Sequence, residues 1–103
     1  MKIVRVNYTT RLAYAATNAA NIQAVVDELK TINHPGIKYS AYILPDGKSF
    51  MHFDQFINEE AHLFLQELAS FKKFAAELDA SDMEVEPVLE LLSLAASTET
   101  FFD

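Results

Sequence analysis

Val4, Val6 and Tyr8 alternate with Ile3, Arg5 and Asn7 over residues 3–10, the two-residue period of a β-strand. Beyond Thr17 and Asn18, either of which suits a helix N-cap, the period changes. Ala19, Ile22, Val25, Val26, Leu29 and Ile32 recur three and four apart and form one helical stripe, with Gln23, Asp27 and Lys30 outside it. Asn33-His34-Pro35-Gly36 ends that helix, because the residue before a proline avoids the helical region and a glycine follows at once.

Residues 37–44 and 49–56 are rich in aromatic and β-branched side chains and flank Pro45-Asp46-Gly47-Lys48, a strong turn sequence, so they predict a β-hairpin. Asn58 then caps a second helix whose first turn holds Glu59 and Glu60, where the helix dipole favours negative charge. Its stripe runs Ala61, Phe64, Leu65, Leu68, Phe71, Ala75, Leu78, widened by Leu63 and Phe74, with a kink allowed near Ala69-Ser70. The mostly apolar segment from Val85 to Ala96, with Pro87 near its start, suits a strand at or near a sheet edge. Residues 98–103 form a C-terminal tail ending in Phe101, Phe102 and Asp103.

The predicted order is β-α-β-β-α-β, an α+β, ferredoxin-like arrangement in which two helices cover one face of an antiparallel sheet. The other face ought to turn polar if it met water. Instead Tyr42 and Leu44 oppose Ile37, Tyr39, Ala41 and Ile43; Phe50 and Phe56 oppose Met51 and Phe53; and Val88, Leu92 and Leu94 oppose Leu89 and Leu91. A sheet apolar on both sides needs a second cover, so the expectation is a homodimer closed sheet to sheet. The alternative is a monomer whose Phe101 and Phe102 fold back over the sheet.

Length and charge narrow the possibilities further. The 103 residues suffice for one domain, taken as 1–103, and not for two independent cores. A formal charge of −7 repels a phosphate backbone, so nucleic acid is not an expected partner. No apolar run approaches the roughly 20 residues that span a bilayer, and no basic segment precedes an apolar one at Met1. The expectation is a soluble, cytoplasmic protein without a membrane partner. Zero cysteines exclude disulfides, thiolate nucleophiles and thiolate metal sites. The three histidines lack helical ligand spacing, and both glycines sit in turns, so no metal and no nucleotide cofactor are expected.

Gly36-Ile37-Lys38-Tyr39 leading to Tyr42, then Asp46-Gly47-Lys48-Ser49-Phe50 and His52, together with the helix bearing Glu60-Ala61-His62, Leu68, Phe71, Lys72 and Phe74, resemble the antibiotic biosynthesis monooxygenase-like family of dimeric α+β barrel proteins. The resemblance covers roughly residues 2–96. It implies a dimeric α+β barrel and a cofactor-independent monooxygenase acting on a small aromatic, quinol-type substrate. Haem-degrading relatives use an Asn, a Trp and a His; Asn7 and His62 are present here, but the chain has no Trp.

Such an oxygenase needs an apolar chamber and a base that deprotonates a phenol. His52, mid-strand among aromatic residues, is the expected base, since histidine titrates near neutral pH. Asn7 and Arg5, as donors on one strand face, are expected to orient a substrate oxygen or oxyanion. Tyr8, Tyr39, His62, Phe64 and Phe71 are expected to line the substrate site, the ligand being a small apolar aromatic molecule. Each also has a bland reading. His52 suits a core or interface position satisfied by a carbonyl, Arg5 and Asn7 a polar strand edge, and His62 a surface residue beside Glu59. The tyrosines suit ordinary packing, and His34 a loop. A non-catalytic dimeric module that binds a small ligand or acts as a scaffold is the alternative function.

Overall fold

The computed structural model describes residues 1–102. Its elements are β1 (Lys2–Thr9), a 3-10 turn (Leu12–Tyr14), α1 (Ala15–Ile32), β2 (Ile37–Ile43), β3 (Ser49–Phe56), α2 (Glu59–Glu67), α3 (Ala69–Asp79) and β4 (Val85–Leu92). The sheet runs β2-β3-β1-β4 with every pairing antiparallel, which is the ferredoxin-like topology expected from the element order.

The hairpin turn is built as its residues require. Asp46 Oδ1 accepts from the backbone N–H groups of Lys48 (3.0 Å) and Ser49 (2.8 Å), and Gly47 takes φ +76°, a conformation that favours glycine. Gly36 answers a different need. A Cβ there would stand 2.5 Å from Ile57 Cγ2, so close packing, not the sign of φ, demands glycine.

Helix α1 begins before the expected cap. It starts at Ala15, and Asn18 is fully buried with its side chain turned inward. The buried stripe is Ala15, Asn18, Ile22 and Val25, whereas Ala19 and Ile32 face solvent.

The expected second helix is two helices. Leu68, at φ −65° and ψ 137°, is extended and separates α2 from α3. The break resets the phase: α2 buries Ala61 and Leu65, and α3 buries Phe74 and Leu78. Asn58 Oδ1 caps α2 by accepting from Ala61 N at 2.9 Å. Leu68 has no side-chain oxygen with which to cap α3, and Glu28 of α1 serves instead, its Oε1 accepting from Ser70 Oγ (2.6 Å) and Ser70 N (3.3 Å). This carboxylate satisfies a donor at a helix start and ties α3 to α1.

Alternation along the strands divides the sheet into two faces. Val4, Val6, Tyr8, Phe50, His52, Asp54, Phe56, Ile37 and Tyr39 face the helices, where Val4, Val25, Phe56 and Leu65 are the most deeply buried apolar side chains. The strand patterns predict an uncovered face that is apolar throughout, and the structure corrects this to a mixed one. Met51, Phe53, Tyr42 and Val88 are interspersed there with Arg5, Asn7, Thr9, Ser40, Gln55 and Glu90. Thr9 and Ser49 hydrogen-bond across it at 2.8 Å.

The tail returns to one end of this face. Phe101 and Phe102 are half-buried, and Lys38 Nζ lies 5.7 Å from the Phe102 ring. Lys38 heads the row Lys38, Gln55, Ile3, Leu92 across the sheet, in which Ile3 and Gln55 are buried. Strand β4 ends at Leu92, short of the expected Ala96, and is the edge left bare on both sides. Val85, Val88, Leu89 and Leu91 are each more than half exposed.

Replacing Glu28 with Ala removes the substitute cap of α3 and is expected to lower stability by about 1 kcal/mol. Urea unfolding would show this as a lower midpoint at unchanged slope; an unchanged midpoint would mean the Glu28–Ser70 contact does not hold the helix start.

Candidate functional site

A cavity of about 180 Å3 lies between the helix-facing side of the sheet and α3. Its walls are largely apolar: Val6, Phe71, Phe74, Ala75, Leu78 and Pro87. Polar side chains enter from the sheet, Tyr8 from β1 and His52 and Asp54 from β3. The space is of the size that takes a single aromatic ring.

Tyr8 and His52 belong to one hydrogen-bonded chain that runs behind the wall to Asn18 and Tyr39. Asn18 Nδ2 donates to Tyr8 Oη at 2.8 Å, Tyr8 Oη meets His52 Nε2 at 2.7 Å, and Tyr39 Oη meets His52 Nδ1 at 3.3 Å. Hydrogen-bond satisfaction assigns the protons. Tyr8 Oη already accepts from Asn18, so its own proton goes to His52 Nε2, and Nδ1–H donates to Tyr39. The reverse arrangement would leave the hydroxyl of Tyr8, a residue 3% exposed, without an acceptor. The assigned one puts the spare proton on the half-buried Tyr39. Phe74 packs on the imidazole at 5.4 Å between centroids, and Tyr8 stacks on Phe50 at 5.6 Å.

The expected site residues divide. His52, Tyr8 and Phe71 line the cavity, and Tyr39 joins it through His52. Arg5 and Asn7 stand on the opposite side of the sheet, because His52 pairs with Val6 in register and odd-numbered β1 residues point away from the helices. There Arg5 forms an ion pair with Glu90, Nη2 to Oε1 at 2.9 Å. Asn7 lines a second pocket of about 190 Å3 with Tyr8, Thr9, Leu44, Ser49, Phe50, Val85 and Val88. His62 stacks on Phe56 at 4.5 Å, and Phe64 tilts against His34 at 4.8 Å; neither lines the cavity. The three residues expected to act together as base and orienting groups are therefore separated by the thickness of the sheet.

No protein-family model matches the sequence, and no curated protein matches it either. Solved structures do. A crystal structure of an antibiotic biosynthesis monooxygenase superposes with TM-score 0.78 at 12% identity, covering 93% of this chain and 100% of that one. A provisionally named antibiotic biosynthesis monooxygenase from Caulobacter crescentus gives 0.77 at 18% identity over 92% and 90%. Its counterpart from Nitrosomonas europaea gives 0.78 at 10% over 93% and 100%. The chain has the antibiotic biosynthesis monooxygenase fold. At these identities the likeness is one of fold, and what this version of the fold can do rests on its own residues.

Three features of the site go beyond what the sequence pattern singles out: Asp54, Asn18 and the place of Tyr8 in the hydrogen-bonded chain. Asp54 is 7% exposed, and its Oδ1 has no hydrogen-bond partner among the described residues. Burial pushes its carboxyl up to about 7, against a weaker opposing effect of the Ser40 backbone. Burial pushes His52 the other way, down to about 4, so the imidazole is neutral at physiological pH. Burial also raises the Tyr8 and Tyr39 hydroxyls well above their usual range. Among the described residues, no three His, Asp or Glu side chains gather as a metal site requires, and no helix is long and apolar enough to cross a membrane.

The two shifted groups act on stability with opposite sign. From about pH 4 to 7, Asp54 is ionised in the unfolded chain and protonated in the fold, so stability falls as pH rises, by up to about 1.4 kcal/mol per pH unit. From about pH 4 to 6.5, His52 is protonated in the unfolded chain and neutral in the fold, so stability rises with pH at a similar slope. The two nearly cancel in the intact protein. His52→Gln exposes the Asp54 slope, and relative to wild type it gains stability on acidification from about pH 6.5 to 4. Asp54→Asn exposes the His52 slope and loses stability over the same range. Urea unfolding of the three proteins at a series of pH values checks this; parallel curves would contradict it.

Proposed function

We propose that this protein is a cofactor-independent monooxygenase of single-ring phenols or quinols. The observation that carries the reading is the ring-sized apolar cavity whose polar side is the chain Asn18–Tyr8–His52–Tyr39 with Asp54 beside it. The names of the structures that share its fold support it. The chemistry asks for no bound redox group. A phenol with an open para position and one dioxygen yield a para-quinone and one water. The O–H and ring C–H bonds break, one oxygen atom becomes the new carbonyl, and the other leaves with both protons. The protein's part is to bind the ring, exclude bulk water and receive the phenolic proton, so that the electron-rich phenolate reduces dioxygen. His52, with both nitrogens engaged, holds Tyr8 and Tyr39 in place. Arg5 and Asn7, on the far face, have no part in this reading.

The reading takes residues 1–103 as a single domain and includes a homodimer. Its support is β4, which presents Val88 on one face and Leu89 and Leu91 on the other to solvent. Four large apolar residues of one edge strand in water are a liability that a second copy removes. Pro87 of β4 borders the cavity, so a partner seated along this strand also narrows the cavity mouth.

Oxygen uptake and quinone absorbance with a panel of single-ring phenols and hydroquinones test the activity. The expected result is turnover above the spontaneous rate, lowered about tenfold or more in Tyr8→Phe, which cuts the hydrogen-bond chain and keeps the ring. A spontaneous rate throughout would leave a ligand-binding module without catalysis. Light scattering is expected to give twice the 11.6 kDa chain mass; the mass of one chain would end the dimer.

A further inference from the structure

We infer that Asp54 is the catalytic residue that recognises the ligand's hydroxyl and takes its proton, so that the cavity selects a single aromatic ring bearing a free O–H. The inference rests on the phenol-oxygenase reading for its chemistry, but its geometry stands alone. Asp54 is a carboxyl in the wall of a largely apolar cavity, more than nine-tenths buried, with Oδ1 lacking any partner among the described residues. A buried polar atom left unpaired is costly, and a native fold keeps one where it has work to do.

His52 and Tyr8, the other polar groups that enter the cavity from the sheet, are already committed. His52 receives the Tyr8 proton at Nε2 and donates from Nδ1 toward Tyr39, so it has no free nitrogen with which to accept. Tyr8 accepts from Asn18 while donating to His52, and an anionic tyrosine is disfavoured by the same burial.

Four side chains stand around Asp54, one of them a second carboxylate. Tyr39 of β2 is its cross-strand partner, His52 precedes it by two residues on the same face of β3, Tyr8 enters from β1, and Asp79 borders the cavity from the end of α3. None is a cation that would hold the carboxylate firmly ionised. Burial moves the group to about 7, where it is half ionised at neutral pH and matched to accepting a proton. The step is balanced: the ligand's O–H bond breaks, an O–H bond forms on Asp54, and the electron pair stays on the phenolate oxygen. A ligand without a hydroxyl leaves the carboxyl unpaired and is rejected for that reason.

Two measurements separate this inference from the oxygenase reading. Calorimetric titration of the full chain with para-cresol and with para-methylanisole, its methyl ether, needs no turnover. Wild type is expected to bind the cresol at least about tenfold tighter than the ether. Asp54→Leu, which keeps the branching of the side chain and removes the unpaired carboxyl, is expected to bind the two within about twofold. Equal binding by wild type, or a preference that survives in Asp54→Leu, would overturn the inference.

For any phenol that is turned over, Asp54→Asn is expected to lower kcat about 100-fold with little change in KM and to abolish the rising limb of the pH profile near 7. His52→Gln is expected to retain that limb. An Asn variant that keeps both the rate and the limb would equally overturn the inference. If no phenol is turned over, the oxygenase reading falls and the calorimetry alone decides the role of Asp54.

Discussion

Phe50, His52, Asp54 and Phe56 occupy successive inward positions of one strand, so any helix layer that covers the aromatic rings must also bury the imidazole and the carboxyl between them. This is the constraint on which the site depends. Neither group can keep a full charge there without a counter-ion. The structure resolves the two cases differently. His52 is satisfied by Tyr8 and Tyr39 and stays neutral; Asp54 is left with an open oxygen beside a void.

Much of the remaining architecture serves that arrangement. Asn18, which the sequence pattern offers as a helix cap, is instead buried one turn inside α1, with its amide donating to the Tyr8 hydroxyl. The break at Leu68 swings α3 into a phase that places Phe71, Phe74, Ala75 and Leu78 over the cavity, and Glu28 fastens the start of that helix. On the far side Arg5 spends its charge on Glu90, and the tail carries Phe102 to Lys38. That face has the character of a surface and an interface, whereas the cavity face has the character of a site.

The fold was legible because period-two and period-3.6 patterns follow directly from backbone geometry, and the turn residues Pro35-Gly36 and Asp46-Gly47 separate them cleanly. The site was less so. Histidine attracts attention as a base by its ordinary titration range, but whether its nitrogens are free depends on residues 13 and 44 positions away in sequence, which only the tertiary structure brings together. Asp54 carried a readable signal, a carboxylate two residues from His52 and two from Phe56 on a strand's inward face. Arg5 and Asn7 were grouped correctly with each other but assigned to the wrong side, since a strand pattern alone does not say which face the helices cover. The break at Leu68 adjoins the Ala69-Ser70 step where the sequence allows a kink, although neither Gly nor Pro stands there.

The most direct test of this account is the protonation of the two groups themselves. In isotopically labelled full-length protein, NMR titration of the Asp54 carboxyl carbon is expected to give a midpoint of about 7. The His52 ring is expected to remain neutral and protonated at Nδ1 until about pH 4. An Asp54 midpoint near the ordinary aspartate value of about 4, or a His52 ring protonated at neutral pH, would contradict it.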